Sequence, residues 1–331
     1  MAGGQERVLR RRIKSVQSTR KITKAMELIA ASRIQKAQQR SAAARPYSEQ
    51  ITEVIRNLAA AGAGGGSPLL EAREEISTVC FVVIAADRGL AGGYNSNVIR
   101  TAERAILAER GQGRTTDIVT VGKKAQSYFR FRGYDIAESF TGFSENPTYE
   151  DAREVASAVT ARFEAGEYGQ VRMVSTQFLS VGTQRVKDAT YLPLERVTDA
   201  AGSSSDDGGP SGDYEFEPDP SEILERLLPR YAEARLFAAL LDAAASELAN
   251  RQRAMKSATD NAEELITKLS RVMNRARQDS ITTEIMEIVS GAEALRQGAS
   301  GSEDLLLDTT NARELFHDQI DQGRGHVRQN R

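Results

Sequence analysis

The residues of this chain with the best claim to chemistry sit in one loop, Asp87 Arg88 Gly89 Leu90 Ala91 Gly92 Gly93 Tyr94 Asn95, directly after an apolar run. Glycines there let a backbone approach an anion, as in phosphate-binding turns at the start of a helix. The spacing matches neither the dinucleotide fingerprint nor a Walker loop, because no lysine follows the glycines and they do not alternate as required. A structural turn, or a surface for a protein partner, is the favoured expectation over a nucleotide site. The one thiol, Cys80, falls within the apolar run Val79 to Ala86, so a buried structural cysteine in a reducing compartment is expected. Both histidines, His317 and His326, lie near the C-terminus, which leaves the body of the chain without imidazole for a triad, a proton relay or a metal cage. No catalytic residue, cofactor site or metal site is expected.

The loop must be held by the elements around it. Val79 to Ile84 reads as a buried strand and Asn97 to Arg110 as the helix that follows; a second strand, Asp117 to Val121, leads into a helix from Lys123 to Phe131. A helix from Tyr149 to Phe163 precedes a strand at Val171 to Thr176, and a last strand is expected at Thr190 to Leu194. Alternation of this kind predicts a small α/β sheet of largely parallel strands covered by helices.

That domain is flanked by two long segments. Gln5 to Arg45 and Arg230 to Ser290 each run without glycine or proline, far beyond the usual three to four turns of a helix. In the later segment Leu241, Ala245, Leu248, Met255, Ala262 and Ile266 step by fours and threes along one stripe, and Leu9, Ile13, Val16 with Ile22, Met26, Ile29 do so in the first. The first enters the domain by its C-terminal end and the second leaves by its N-terminal end, so a pair must be antiparallel. Extending them to Ala60 and back to Ser221 gives helices of about 84 and about 105 Å. The second should outrun the first, leaving Ile281, Ile285, Ile288 and Val289 in need of a sleeve from another protein.

Composition suits a soluble protein with one compact domain and an extended element rather than two full cores: 331 residues, 27% charged, no tryptophan, and 6% aromatic, low for a compact enzyme of this length. No apolar stretch is long enough to span a membrane, and the basic N-terminus lacks a signal core. The net charge of −2 conceals an asymmetry, since residues 1–45 carry only Glu6 and Glu27 against a dozen Lys and Arg. So dense a basic rod suggests an acidic protein counterpart. Nucleic acid is the weaker reading, for the helix has no aromatic side chain to stack a base. Residues 199–222 mix acidic residues with Gly, Ser and Pro and read as a solvated, disordered loop. The expected divisions are a first helix at 1–60, an α/β domain at 75–198, an acidic loop at 199–220, a second helix at 221–295 and a tail at 296–331.

Four blocks carry a resemblance over almost all of residues 1–295: RRIKSVQSTRKITKAMELIAASRIQKAQ from Arg11, DRGLAGGYNSN from Asp87, AMKSATDNAEELI from Ala254 and RQDSITTEIMEIVSGAEAL from Arg277. The chain closely resembles the gamma subunits of F-type ATP synthases of the bacterial type. The resemblance implies a long antiparallel coiled coil of N- and C-terminal helices with a small α/β, Rossmann-like domain. It implies a central-stalk rotor without chemistry of its own, turning inside a ring of three alpha and three beta subunits. Its foot would meet the epsilon subunit and the proton-driven c-ring, and membrane contact would come only through the complex, at the cytoplasmic face of the cell membrane. Carried over by motif, Lys24 and Met26 should lie near an acidic loop of beta, and Arg277, Gln278, Thr282 and Glu284 should meet the catalytic subunits.

The chain departs from the family in having Ala91 where a cysteine is common, and in a longer acidic loop. The tail beyond Leu295 is the largest departure, since members usually end near there. Two other classes compete with the rotor: a nucleotide-dependent α/β enzyme, which lacks converging acid, base or nucleophile groups, and a coiled-coil tether with a nucleic-acid arm, which needs no apolar tip.

Overall fold

The computed structural model describes residues 2–60, 67–73, 75–194, 217 and 219–300. Except for 217, 219–220 and 296–300, the acidic segment at 199–220 and the tail at 296–331 lie outside the described residues. The elements in chain order are α1 (Ala2–Ala60), β1 (Thr78–Ile84), α2 (Tyr94–Gly111), β2 (Thr115–Val121), α3 (Lys123–Phe131), β3 (Glu138–Phe140), α4 (Tyr149–Glu164), β4 (Gln170–Phe178), β5 (Gln184–Leu192) and α5 (Pro220–Ser300). Both long helices continue through an internal proline, Pro46 in α1 and Pro229 in α5.

Two compact units emerge, residues 17–264 and the described parts of Met1–Val16 with Leu265–Arg331. In the first unit five strands lie in the order β3-β2-β1-β4-β5, with β5 antiparallel to β4 and every other pair parallel. β1 is central, and its side chains alternate between two cores. Val79, Phe81 and Val83 join Val98, Ala102 and Ile106 of α2 and Phe129 of α3 on one face. Cys80, Val82 and Ile84 face the other core, with Val155 and Phe163 of α4, Ile55 and Leu58 of α1 and Leu228 and Leu236 of α5. β1 therefore has no polar face: both sides of the sheet are covered, so both sets of alternating positions are apolar. The ends of the long helices are part of the domain's core, which fixes the rod to the sheet.

Local signals start and stop the short helices. Thr148 caps α4 in a reciprocal box, its hydroxyl accepting from the Asp151 N–H at 3.2 Å while Asp151 Oδ2 accepts from the Thr148 N–H at 2.7 Å. α3 starts after Gly122, whose φ of 95° only glycine adopts freely.

Within the same unit α1 and α5 run antiparallel as a coiled coil. Residue numbers fall along one helix as they rise along the other: Arg20 with Glu263, Thr23 with Thr259, Ser41 with Asp242. Ile34 and Ala37 pack with Ala245, Leu248 and Ala249. Alanines at the seam let the backbones approach. In the second unit Ile13 and Leu269 are buried, Arg10 pairs with Glu6 at 2.7 Å, and every residue from Ile281 to Arg296 is exposed.

Candidate functional site

The glycine loop is held as a clasp. Asp87 Oδ1 accepts from the Lys123 N–H at 3.1 Å, and Oδ2 accepts from the N–H groups of Gly142 at 2.8 Å and Ser144 at 3.1 Å. A carboxylate of the chain itself thus occupies the start of α3, where a bound anion would otherwise go. Asn95 Oδ1 accepts from the Ala86 N–H at 2.9 Å and closes the loop from its other end. Leu90 adopts φ 62° and is exposed, while Gly92, at φ 55°, would place a Cβ 3.6 Å from Ala254 of α5. The loop is a turn that packs onto the rod.

Charge links the loop to both helices. Glu145, in the segment before α4, receives Arg33 of α1 at 2.5 Å, Arg251 of α5 at 3.0 Å and Arg88 of the loop at 3.6 Å. Arg251 also donates to Glu247 at 2.5 Å and to the Gly89 carbonyl at 3.4 Å. Burial pushes the Glu247 carboxyl up from its ordinary value, and Arg251 opposes that shift without cancelling it. Arg40 of α1 bonds Asn146 and the Pro147 carbonyl beside them. Sequence reasoning missed this cluster; its only local trace is the i, i+4 pair of Glu247 and Arg251.

The motif residues fall into two groups. Lys24 is exposed and donates to Glu27 at 3.2 Å on the same helix. Met26 is half-buried and lines a cleft of about 290 Å³ together with Ile29, Arg33, Leu90, Glu145 and Arg251. Arg277, Gln278, Thr282 and Glu284 belong to the other unit, all exposed along α5, with Ser280 donating to Glu284 at 3.4 Å. Gln278 and Thr282 stand one turn apart, Arg277 and Glu284 two. Around them Ile281, Ile285, Met286, Ile288, Val289 and Leu295 are exposed.

Nothing in this arrangement assembles a nucleophile with a base. Burial raises the Cys80 thiol to about 12, with Asp117 adding to the shift, so its thiolate is suppressed. Among the described residues no group of three His, Cys, Asp or Glu is placed to hold a metal.

A model of the ATP synthase family matches residues 5–295. The ATP synthase gamma chain of Parafrankia sp. (strain EAN1pec) is 52% identical over 301 residues, which span 89% of this chain and 99% of the relative. The chain belongs to the ATP synthase gamma-chain family. That of Nocardioides sp. (strain ATCC BAA-499 / JS614) is 46% identical across 90% of this chain and 98% of its own. The fold recurs in the central stalk and c-ring structure of the Tetrahymena thermophila mitochondrial ATP synthase, with a TM-score of 0.54 at 24% identity over 72% of this chain and 99% of that one. It recurs too in the Euglena gracilis enzyme's rotor structure, with a TM-score of 0.61 at 16% identity over 84% and 99%. A gamma chain is a non-catalytic subunit of the ATP synthase complex.

Proposed function

We propose that this gamma chain is the central-stalk rotor of a proton-translocating ATP synthase, converting rotation driven at the c-ring into conformational change at beta-subunit catalytic sites. The observation that carries the reading is the bare end of α5, where six large apolar side chains between Ile281 and Leu295 stand exposed on a helix. Burying one such side chain is worth roughly 1.5–3 kcal/mol, so a surrounding protein sleeve is strongly favoured. A ring of three alpha and three beta subunits supplies such a sleeve. An asymmetric shaft biases three equal sites by contacting each one differently, which shifts their open and closed populations.

On this reading Lys24 and Met26 of α1 pass an acidic loop of beta, and Arg277, Gln278, Thr282 and Glu284 meet the catalytic subunits. The α/β domain is the foot that holds epsilon and rests on the c-ring. No described helix is long and apolar enough to cross a membrane. On the proposed reading the subunit is peripheral, held at the cytoplasmic face of the bacterial membrane through its complex. Domain divisions at 1–60, 75–198 and 221–295 assign the rod and the foot their separate tasks.

Affinity purification of the tagged full chain from its own cells tests the assignment. Alpha and beta subunits in fixed stoichiometry are expected; a chain recovered alone overturns it.

A further inference from the structure

A cavity of about 480 Å³ opens where α1, α4 and α5 meet, a size typical of small-molecule sites. Its wall has an apolar part built for a ring. Tyr149 and Phe237 meet edge to face with centroids 5.6 Å apart, and Tyr47 adds a half-exposed third ring. The space exists because the neighbouring wall positions are the small residues Ala44, Ala234 and Ala238. Each long helix carries its internal proline one residue before a wall side chain, Pro46 before Tyr47 and Pro229 before Arg230. A proline removes a backbone N–H, so both helices are short of one rung where the cavity lies.

The polar groups at the wall are donors. Tyr149 Oη is committed to Glu233 Oε2 at 2.7 Å, which leaves Tyr47 and Ser48 to offer hydroxyls. Arg230 is half-exposed, interacts with the Tyr149 hydroxyl and reaches the same Glu233 oxygen at 3.5 Å. Glu233 is itself buried and faced by Arg153 at 4.0 Å as well, so its charge is met from the protein side. A guanidinium with fork geometry at the edge of an aromatic cavity matches a carboxylate joined to a ring.

We propose that this cavity is a binding site for a small aromatic carboxylate, its ring among Tyr47, Tyr149 and Phe237 and its carboxylate on Arg230. Bound there, the molecule touches both helices of the rod and the foot at once, and so stabilises their junction. The inference is independent of the rotor reading, since it concerns only residues 44–48, 149 and 230–238.

Calorimetric titration of the full chain with 4-phenylbutyrate, and with its neutral primary amide, tests the site. Saturable binding of the acid with Kd below about 1 mM is expected. Arg230→Gln should weaken the acid about tenfold and leave the amide unchanged. Ala234→Phe and, as a milder filling, Ala238→Leu should abolish binding of both compounds, with each variant's thermal unfolding showing that it is folded. Absence of saturable binding to the unsubstituted chain overturns the site, and so does binding that survives both filling substitutions. Equal weakening of acid and amide by Arg230→Gln overturns the carboxylate assignment.

Discussion

Thr23 of α1 and Thr259 of α5 bring their hydroxyl oxygens to 2.8 Å in the buried seam of the coiled coil. Each also lies within bonding distance of a carbonyl on its own helix, Thr23 of Arg20 at 3.0 Å and Thr259 of Met255 at 2.9 Å. Two hydroxyl protons therefore serve three contacts, and the pair holds one cross-helix bond by giving up one bond back to a helix. Next to apolar neighbours such a bond fixes register more than it adds stability, because only one offset of the helices satisfies it.

The seam pair should behave as a unit. Thr23→Val or Thr259→Val alone should destabilise by about 1 kcal/mol, whereas the double variant should lose clearly less than the sum. Urea unfolding of the four chains in a double-mutant cycle measures the coupling. Strict additivity would mean that the cross-helix bond has no energetic role.

Gly122 follows the inner strand β2, against the Ala85 backbone, where no side chain fits. A Cβ there would stand 2.2 Å from the Ala85 carbonyl oxygen, and φ is 95°. The backbone cannot shift away easily, since the Gly122 N–H donates to Phe140 O at 2.7 Å and the Ala85 N–H to Val121 O at 2.8 Å. Gly122→Ala should destabilise by roughly 3–5 kcal/mol. Gly113→Ala, at φ 82° with nothing within 4 Å, should cost only about 1 kcal/mol of backbone strain. Thermal unfolding of the two variants decides whether collision or conformation dominates.

How much of this was legible in the sequence depended on which elements had local punctuation. α3 was readable to its ends because Gly122 and Gly133, both at positive φ, bracket Lys123–Phe131. β3 went unseen: three residues pairing only with β2 carry no periodicity. β5 begins at Gln184, earlier than the expected Thr190, because Arg185, Lys187 and Asp188 on this antiparallel edge strand disguise the apolar alternation. The stripe on α5 and that helix's bare end followed from spacing, but on α1 the expected Ile22 and Ile29 are exposed and the neighbouring Thr23 and Ala30 are buried in their place, because the seam there takes small side chains. Glu145 did not follow from spacing, since Arg33, Arg88 and Arg251 come to it from three distant parts of the chain and only the fold brings them together.

Asp242 gives a pH signature. Burial raises its carboxyl above the ordinary 3.8, while the Phe178 backbone, Ser41 at 3.5 Å and Arg45 pull the other way without winning. The folded chain then holds this proton more tightly than the unfolded chain, so stability falls as pH rises from 3.8 through the folded value. Asp242→Asn does not titrate. Compared with it, the unsubstituted chain should lose ground across that interval and hold a constant difference at higher pH. Unfolding midpoints measured across the acid range check this, and a difference that stays flat refutes it.

Met26 stands in a cleft where Arg33, Arg88 and Arg251 already surround Glu145. Met26→Lys adds a fourth cation at the place where the rod is proposed to pass beta. Assembly should survive, while ATP synthesis driven by a proton gradient should fall at least about fivefold, the lower end of usual coupling energies. ATP hydrolysis by the same preparation should fall less. Equal loss of both activities in normally assembled complex counts against a coupling role for this residue.

The end of α5 separates folding from assembly. Ile288 is 71% exposed, and among the described residues nothing covers its side chain. Ile288→Asp should therefore change the stability of the isolated chain by no more than about 0.5 kcal/mol. If a sleeve of alpha and beta subunits encloses this helix, the same substitution buries an unpaired carboxylate there and should sharply reduce recovery of the complex. Ser290→Asp, also exposed but replacing a polar side chain, provides the control for added charge. Quantifying alpha and beta subunits co-purified with each variant decides the matter: full recovery with Ile288→Asp would show that the bare apolar face is not the surface the ring holds.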